Sequence, residues 1–490
     1  MSRLQPECVA PEIGWTMLTR RQLFAATAAA LPLPSATTPL PLHSRRELFV
    51  DHYLIHSLAG AELRLAQPID AGPAFQFDRP WEGRFCNYAT VIPDAGKFRL
   101  YYRGVPNAGV DGRGDEVYCY AESADGTTFY RPNLQLHSVR GTDTNNVILA
   151  NTPPLQHNFS PFLDTRPGVS PASRYKGMAG TSKSGLVAFH GPDGIHWSPL
   201  RSEPVLTQGA FDSQNVAFWS EAEQHYVCYY RTFKKIGATS YRWISRALSP
   251  NFLDWKIEGE ISFGDAPPEH LYTNQTSPYF RAQHLYLSLC ARFLPGRQVL
   301  SEAEARAVNV DPGYFKDCSD AVLLSSRGGT QFDRTFLEAF LRPGLGVANW
   351  VSRSNYPALN VVPTGPDQLS FYVVRNYGQP SIHLRRYTLR LDGFASLHAG
   401  YAGGQMITKP FTFTGAQLEV NFATSAPGGI RFYLETPSGA PLAESTELIG
   451  DQTARLVQWK SIDSLAAWSG QAVRLRVSLK DADLFALKFT

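Results

Sequence analysis

The stretch AFDSQNVAFW, residues 210–219, decides the fold, because it leads polar side chains directly into an apolar strand. Asp212, Gln214 and Asn215 precede the apolar run 216–219. A strand of this kind is expected where its polar start faces a channel and its remainder packs against neighbouring sheets. The stretch therefore predicts a strand that lines a polar channel, with Asp212 at the channel mouth.

Four other stretches have the same form, an Asn that leads into a short apolar strand. With Asn215, the five begin at Asn87, Asn158, Asn215, Asn274 and Asn355. Four of the second strands that follow end in arginine, at Arg103, Arg231, Arg292 and Arg375. Third strands then lead to turns such as Asp-Gly, which are typical of hairpins. Five repeated four-stranded units predict an all-β fold with a five-bladed β-propeller, whereas a two-sheet sandwich does not predict five similar units.

The regions on either side of the repeat have different patterns. LFVDHYLI, residues 48–55, is expected to close the ring by pairing with the last blade, and Asp51 within it is either a channel residue or a structural hydrogen-bond acceptor. After about residue 405 apolar and polar residues alternate cleanly, which indicates a small antiparallel β-sandwich. We predict a signal region and leader over 1–44, the propeller over 45–405 and the sandwich over 406–490.

The N-terminal region has the pattern of an export signal. Arg20 and Arg21 precede an Ala-rich apolar run and then proline and small residues, which is typical of the twin-arginine route and predicts a periplasmic or extracellular location. That run is too short to span a membrane, and no other segment has the required length.

A net charge of +3 without a Lys/Arg run argues against a nucleic-acid partner. Six scattered cysteines without a C-x-x-C pair argue against a zinc site or a disulfide framework.

Carboxylates near the inner strands are the main candidates for chemistry, since the sequence has no P-loop, H-E-x-x-H, G-x-S-x-G or G-x-G-x-x-G motif. Glu82, Asp212 and Glu269 precede the inner strands of blades one, three and four. Glycoside hydrolysis uses two such groups, one as an acid and one as a base or nucleophile, and a third can tune the acid. Each of these residues, taken alone, is also compatible with a turn or surface role.

Amide, imidazole and guanidinium groups at the same strand ends are the candidate substrate ligands. They are Asn87, Arg103, His157, Asn158, Asn215, Arg231, His270, Asn274, Arg292, Arg353 and Asn355. Because the arginines recur with the repeat, salt bridges between blades are the competing interpretation. Trp81, Tyr88 and Tyr272 are the aromatics expected to stack on sugar rings.

Five stretches carry a resemblance to a known group of proteins. They are LFVDHYLI, PWEGRFCNYATVI, GAFDSQNVAFW, APPEHLYTN and KDADLFALKF. They resemble exported bacterial proteins, common in planctomycetes, that are described as like glycoside hydrolase family 32, and the resemblance runs from about residue 45 to 490. More distantly, the architecture resembles families 32 and 43, with their five-bladed propeller.

The resemblance also implies catalytic roles. It implies Glu82 as nucleophile or base, Asp212 as the middle-blade acid and Glu269 as general acid. The family motif WMNDPNG, an Arg-Asp-Pro on the middle blade and a Glu-Cys pair are absent, so fructan specificity is not implied.

These observations lead to three hypotheses of function. The first is an exported glycoside hydrolase of oligo- or polysaccharides, with Glu269 as acid, Glu82 or Asp51 as base or nucleophile, and Asp212 as modulator of the acid. The second is a propeller that binds a glycan without cleaving it. The third is a polysaccharide lyase with His157 or a tyrosine as base, in which arginines neutralise a substrate carboxylate. The sequence indicates no cofactor and no metal-ligand cluster, and it leaves a structural calcium, the sugar and the oligomeric state open.

Overall fold

Five antiparallel sheets form a five-bladed β-propeller in the computed structural model, which describes residues 38–109 and 111–490. The fold is all-β, as predicted, with one short α-helix at Glu302–Ala307 and 3-10 turns at Pro171–Ser173 and Ala466–Trp468. In the described part of the chain, no helix has both the length and the apolar character to cross a membrane. The predicted twin-arginine signal, with Arg20 and Arg21, lies outside the described residues.

The blades contain the predicted inner strands, and in each blade the first strand pairs with a long second strand. Blade one consists of Asn87–Asp94, Lys97–Gly104, Val117–Ser123 and Val147–Leu149. Blade two consists of Ser160–Leu163, Tyr175–Thr181, Gly185–Gly191 and Ser198–Pro199. Blade three consists of Val216–Ser220, His225–Ile236, Thr239–Ser249 and Lys256–Glu260. Blade four consists of His270–Thr273, Thr276–Tyr279, Ala282–Leu294 and Cys318–Ser326. Blade five consists of Tyr356–Pro357, Val362–Pro363, Gln368–Arg375, His383–Arg390 and Ile69–Gln76.

The strand that closes the ring is not the predicted one. Ile69–Gln76 pairs with His383–Arg390 as the outermost strand of blade five, so the first propeller strand in the chain completes the last blade. Its sequence contains Gly72 and Pro73, which are unfavourable in strands, and the pairing register shifts twice along it. An outermost strand tolerates a proline because one of its edges has no partner. The expectation that residues 48–55 close the ring is therefore wrong.

A second β-domain, the C-terminal sandwich, is built from both ends of the described chain. Its strands are Leu40–His43, Arg46–Leu48, Ile55–Ala59, Glu62–Leu65, Ala395–Ala399, Gly404–Thr408, Phe411–Phe413, Leu418–Glu435, Pro441–Glu444, Asp451–Leu456 and Arg474–Phe489. The two longest strands pair along most of their length, with register shifts that include one between Thr424 and Gly429. Phe49, Leu54 and Ile55 pack into the apolar core of this domain. Leu48 and Val50 instead pack against apolar residues of blades four and five, so the apolar side chains of this stretch lie between the two parts of the fold.

Buried amide side chains join the five inner strands on the propeller axis. Nε2 of Gln214 in blade three donates to Oγ1 of Thr90 in blade one at 2.7 Å and to Oγ of Ser160 in blade two at 3.4 Å. Nε2 of Gln275 in blade four donates to Oε1 of Gln214 at 2.7 Å and to the carbonyl of Pro357 in blade five at 2.8 Å. We call Thr90, Ser160, Gln214 and Gln275 the axial plug. The plug crosses the channel with a hydrogen-bond network that includes a group from every blade, and Oε1 of Gln275 is its buried atom without a partner among the described residues.

Removing the central amide of the plug is expected to destabilise the propeller. Gln214→Leu leaves Thr90, Ser160 and Gln275 without their shared partner, and a buried polar group left unsatisfied costs about 1–3 kcal/mol. We expect the urea midpoint of unfolding, followed by tryptophan fluorescence, to fall accordingly. The control is Gln452→Leu, which changes an exposed glutamine of the sandwich. Equal midpoints for the two variants would show that the plug does not support the ring.

Candidate functional site

An asparagine lies at or just before the start of each inner strand, and all five side chains are buried. They are Asn87, Asn158, Asn215, Asn274 and Asn355. Asn215 accepts a hydrogen bond from the backbone N–H of Arg231 in its own blade, at 3.1 Å. Asn274 donates to the carbonyl of Tyr229 in the preceding blade, at 3.3 Å. Amides used in this way satisfy backbone groups at the strand start. The repeated asparagine therefore positions the strand, and protein groups already occupy it.

Arginines at the ends of two second strands link neighbouring blades at the same end of the propeller. Nη1 of Arg103 in blade one donates to Oδ1 of Asn158 in blade two, at 2.9 Å. Arg231 in blade three donates to the backbone carbonyl of Tyr272 in blade four. These contacts agree with the competing interpretation that repeated arginines tie one blade to the next. We call this end of the propeller, where the inner strands begin, the mouth.

Asp212 lies at the mouth with its side chain 31% exposed. Its Oδ1 accepts a hydrogen bond from Nη1 of Arg231 at 3.0 Å, and its other oxygen has no hydrogen-bond partner among the described residues. The guanidinium of Arg231 also lies over the ring of Tyr272, with its carbon 4.4 Å from the ring centroid. Asp212 thus has one oxygen held and one oxygen available to a ligand.

Glu269 lies at the mouth in blade four, with its side chain 23% exposed. Its two oxygens accept hydrogen bonds from Nη1 of Arg292 at 2.8 Å and from Nη1 of Arg334 at 2.7 Å. Arg292 also forms a two-point ion pair with Asp320, at 2.9 and 2.7 Å. Glu269 is therefore held more firmly than Asp212, with an arginine on each oxygen.

Glu82 does not join these carboxylates, because it is fully buried in the side of blade one. It accepts hydrogen bonds from the hydroxyl of Tyr102 at 2.5 Å, from Nε and Nη2 of Arg131 at 2.7 and 2.9 Å, and from the backbone N–H of Arg79. Trp81, beside it in sequence, is also buried and donates to Asn146. Glu82 thus serves as the partner of a buried arginine in this structure.

Asp51 lies at the opposite end of blade four from Glu269. It accepts from the backbone N–H of Tyr53 at 2.9 Å and from Arg327 at 3.3 Å. Arg327 follows the end of strand Cys318–Ser326, whereas Asp320, which shares Arg292 with Glu269, lies near its start. Five residues of strand separate Asp320 from Ser325, which is roughly 16 Å at the usual rise per residue. The structure therefore does not bring Asp51 to the mouth, and its contacts are those of a structural acceptor.

His157 is fully buried, and both of its ring nitrogens have partners. Because Arg103 donates to Oδ1 of Asn158, the amide nitrogen of Asn158 faces Nε2 of His157, at 2.9 Å, and donates to it. Nδ1 of His157 lies 2.9 Å from Oε2 of Glu116 and 3.1 Å from the backbone nitrogen of Gly112. His157 is therefore a link between Asn158 and Glu116, with no free nitrogen to act on a substrate.

Glu116 is a buried carboxylate that the sequence interpretation did not select. Its burial alone would raise its pKa, but the hydrogen bond with His157, the positive charge of Arg103 and the backbone N–H of Gly112 outweigh burial, so its pKa lies below the usual value. Oε1 of Glu116 is 4.0 Å from Nε of Arg103. Asp111, in the loop that leads to Glu116, is 3.9 Å from Nε2 of His157 and has a side chain that is 51% exposed. These acids precede the third strand of blade one, outside the repeated asparagine positions, so the repeat did not reveal them.

Aromatic rings form the floor of the mouth above the axial plug. Tyr88, Tyr272 and Tyr356 are buried together, and the rings of Tyr272 and Tyr356 are 5.3 Å apart. Burial raises the pKa of Tyr88 and that of Tyr356 well above the ordinary value, so both hydroxyls are protonated at neutral pH. Two of these tyrosines, Tyr88 and Tyr272, were among the aromatics expected from the sequence.

His270 and Arg242 lie beside this floor on blades four and three. Nδ1 of His270 accepts the backbone N–H of Arg242 at 3.2 Å, and its ring packs on Tyr241. Burial, followed by the charges of Arg242 and Arg231, lowers the pKa of His270, which is therefore neutral at neutral pH. Arg242 is part of the long hairpin of blade three and has no counterpart in the other repeats, so the sequence pattern gave no signal for it.

A small pocket opens beside the tyrosine floor between blade one, blade five and the insertion 295–317 of blade four. Side chains on its wall include Arg103, Asp111, Glu116, Tyr314, Arg353 and Tyr377. Arg353, predicted as a ligand, lies with its guanidinium carbon 5.6 Å from the ring centroid of Tyr272 and 5.2 Å from that of Tyr314. Within residues 38–109 and 111–490, no three His, Cys, Asp or Glu side chains are grouped to hold a metal ion.

Stability at the mouth is expected to depend on the charge of Glu116. Because the folded protein lowers the pKa of Glu116 below 4.5, its ionised form stabilises the protein above that pH, and the contribution is lost as the pH falls through the folded value. Glu116→Gln should therefore lower the unfolding temperature at pH 7, and the difference from the unmodified protein should shrink below about pH 4. Glu221→Gln, at an exposed position, is the control. A difference that does not vary with pH would contradict this account.

Comparison with known proteins gives only distant likenesses. No family model matches the chain, and no curated protein matches it. A solved structure described as a glycoside hydrolase is 12% identical, with a TM-score of 0.46 over 66% of this chain and 92% of that one. A fructofuranosidase from Schwanniomyces occidentalis, complexed with fructosylnystose, is 9% identical, with a TM-score of 0.39 over 85% and 96%. A glycoside hydrolase family 43 arabinoxylan arabinofuranohydrolase from Bacillus subtilis, in complex with cellotetraose, is 11% identical, with a TM-score of 0.37 over 86% and 99%. These three neighbours are glycoside hydrolases, and likeness at this level assigns this chain to no family.

Proposed function

We propose that the protein is a glycoside hydrolase that acts on an oligo- or polysaccharide at the propeller mouth. The observation that supports this most is the set of partly exposed carboxylates at that one end. Asp111, Asp212 and Glu269 come from blades one, three and four, with side chains 51%, 31% and 23% exposed. Hydrolysis of a glycosidic bond needs two carboxyl groups on either side of that bond.

The contacts of these acids suggest different roles. A bound arginine favours the ionised carboxylate, so Asp212, held by Arg231, is suited to act as base or nucleophile. Asp111 has no arginine partner among the described residues, so it can exchange a proton with the leaving oxygen without breaking an ion pair to an arginine. Glu269, which has an arginine on each oxygen, is suited to orient the sugar.

Glu116 and His157 act in this proposal as positioning residues. The chain of hydrogen bonds from Arg103 through Asn158 and His157 to Glu116 fixes the wall that carries Asp111. The half-buried ring of Tyr314 in the pocket wall offers an apolar face for a sugar ring, the kind of lining that small-ligand sites use.

A glycan-binding propeller without catalysis is the second candidate. The observation in its favour is that Asp212 and Glu269 are both in ion pairs, which favour the ionised carboxylates and disfavour either residue as the proton donor. The lyase hypothesis is weakened, because both ring nitrogens of His157 already contact protein groups and the residue is not free to act as the base. Export by the twin-arginine route stays part of the proposal and rests on the sequence around Arg20 and Arg21.

Replacing the proposed reacting acids should abolish cleavage without unfolding the protein. A panel of plant, algal and microbial glycans incubated with the mature chain should show cleavage of at least one member. Asp212→Asn and Asp111→Asn should each lower kcat on that glycan by about 10² to 10⁴, the usual contribution of an acid–base group. Asp254→Asn, at an exposed position of the same blade three, is the matched control and should leave kcat unchanged.

Two outcomes would decide against this assignment. Full activity in Asp212→Asn would show that another group is the base or nucleophile. Tight binding of a panel glycan without any cleavage by the unmodified protein would favour the binding module instead.

A further inference from the structure

Three guanidinium groups surround one tyrosine ring at the mouth. The guanidinium carbons of Arg231, Arg242 and Arg353 are 4.4, 5.2 and 5.6 Å from the ring centroid of Tyr272. The three arginines come from both long strands of blade three and from the approach to blade five, so the chain brings them together only in the folded state. Their shared position around one ring makes them a single cluster, which we call the arginine cluster.

Only one member of the arginine cluster has an acidic partner. Arg231 binds Asp212 and the carbonyl of Tyr272. The side chains of Arg242 and Arg353 have neither a carboxylate nor a hydrogen-bond acceptor among residues 38–109 and 111–490, and the Nε of Arg242 is buried without a partner. Other arginines of the mouth are paired, since Arg103 has Asn158 and Arg292 has Asp320 and Glu269.

The tyrosine ring does not account for this arrangement by itself. A guanidinium over an aromatic face gains a modest attraction, but a guanidinium carries five N–H donors and the ring face satisfies few of them. Partly buried cations are normally paired, because removing them from water without a partner is costly. Two arginines beside one ring, neither with an acceptor among the described residues, therefore leave a place for an anion supplied from outside.

The charges around the arginine cluster also favour binding of an anion. The charges of Arg242 and Arg231 add to burial in lowering the pKa of His270, so the nearest histidine is neutral and the local potential is positive. Among residues 38–109 and 111–490, Asp212 is the one acid bound to the cluster, and Arg231 already binds it. Arg242 and Arg353 are each only partly exposed, and Arg353 lines the pocket, while their apolar surroundings strengthen an ionic contact.

We propose that Arg242 and Arg353 bind an anionic substituent of the substrate, either the carboxylate of a uronic acid or a sulfate ester. Planar, two-point contact with an oxyanion is what a guanidinium provides, and neutral sugars give no reason to keep two unpaired arginines at the site. This inference rests on the proposed function, because it takes the mouth as the saccharide site. It places the charged substituent beside Tyr272 and next to Asp212.

The test compares charged glycans with their neutral counterparts. Oligogalacturonates and oligoglucuronates are each paired with their carboxyl-reduced forms, and sulfated galactan oligosaccharides with their desulfated forms. Binding is measured by calorimetry on Asp212→Asn, so that cleavage does not interfere. We expect at least one charged glycan to bind about tenfold or more tighter than its neutral form, as for hydrogen bonds to charged groups. Preference for a uronate or for a sulfate tells the two sources apart.

Variants of the cluster show whether the preference comes from these residues. Arg353→Gln and Arg242→Gln should remove the preference, so that the charged and neutral forms bind with similar affinity, and Arg353→Lys should restore part of it. Arg455→Gln, at an exposed position of the sandwich, is the control, and thermal unfolding verifies that each variant is folded. Equal binding of charged and neutral forms, or a preference that survives in both Gln variants, would overturn the proposal.

The outcomes separate this proposal from the one on which it rests. A charged glycan that binds through Arg353 but is not cleaved supports the anion site and contradicts the hydrolase. Cleavage of neutral glycans alone supports the hydrolase and overturns the anion site. An unsaturated product, detected by ultraviolet absorbance, would support the anion site and assign the reaction to a lyase instead.

Discussion

The axial plug is the hydrogen-bond network that holds the five inner strands of the propeller in their relative positions. Gln214 and Gln275 reach across the axis, and their hydrogen bonds include a group from every blade. Because these groups are buried, each bond that is lost leaves a polar atom without water, which ties the positions of the five inner strands to one another. The plug also closes the channel below the tyrosine floor, so a ligand at the mouth meets a wall and not a tunnel.

Residues that recur from blade to blade in this propeller make structural contacts, whereas residues found in a single blade remain available to a ligand. The asparagines that recur at the inner strands, and Arg103 and Arg231, are engaged with backbone or with the neighbouring blade. The groups that remain available, Asp111, Asp212, Arg242 and Arg353, lie at positions that do not repeat as a set. A scaffold with five similar units can build one asymmetric site only through such exceptions.

The internal repeat was sufficient to predict the propeller. Each copy has an asparagine followed by an apolar strand and then a second strand, and this pattern can be recognised in a single sequence. The sequence did not predict the strand that closes the ring, Ile69–Gln76. Gly72 and Pro73 are unfavourable in strands, and this strand forms only by pairing along the outer edge of blade five. Glu82 and Asp51 look like candidate acids until their partners are known, and those partners, Arg131 and Arg327, lie 49 and 276 residues away. Distances of this kind are set by the fold and leave no local pattern.

A crystal structure of Asp212→Asn with an oligosaccharide bound tests the central claim most directly, because it locates the ligand without relying on activity. We expect a sugar at the mouth, on the tyrosine floor, with its glycosidic oxygen within hydrogen-bond distance of Asp111 or position 212 and a charged substituent on Arg242 and Arg353. A sugar bound at the opposite end near Asp51, or on the C-terminal sandwich with the mouth empty, would contradict it.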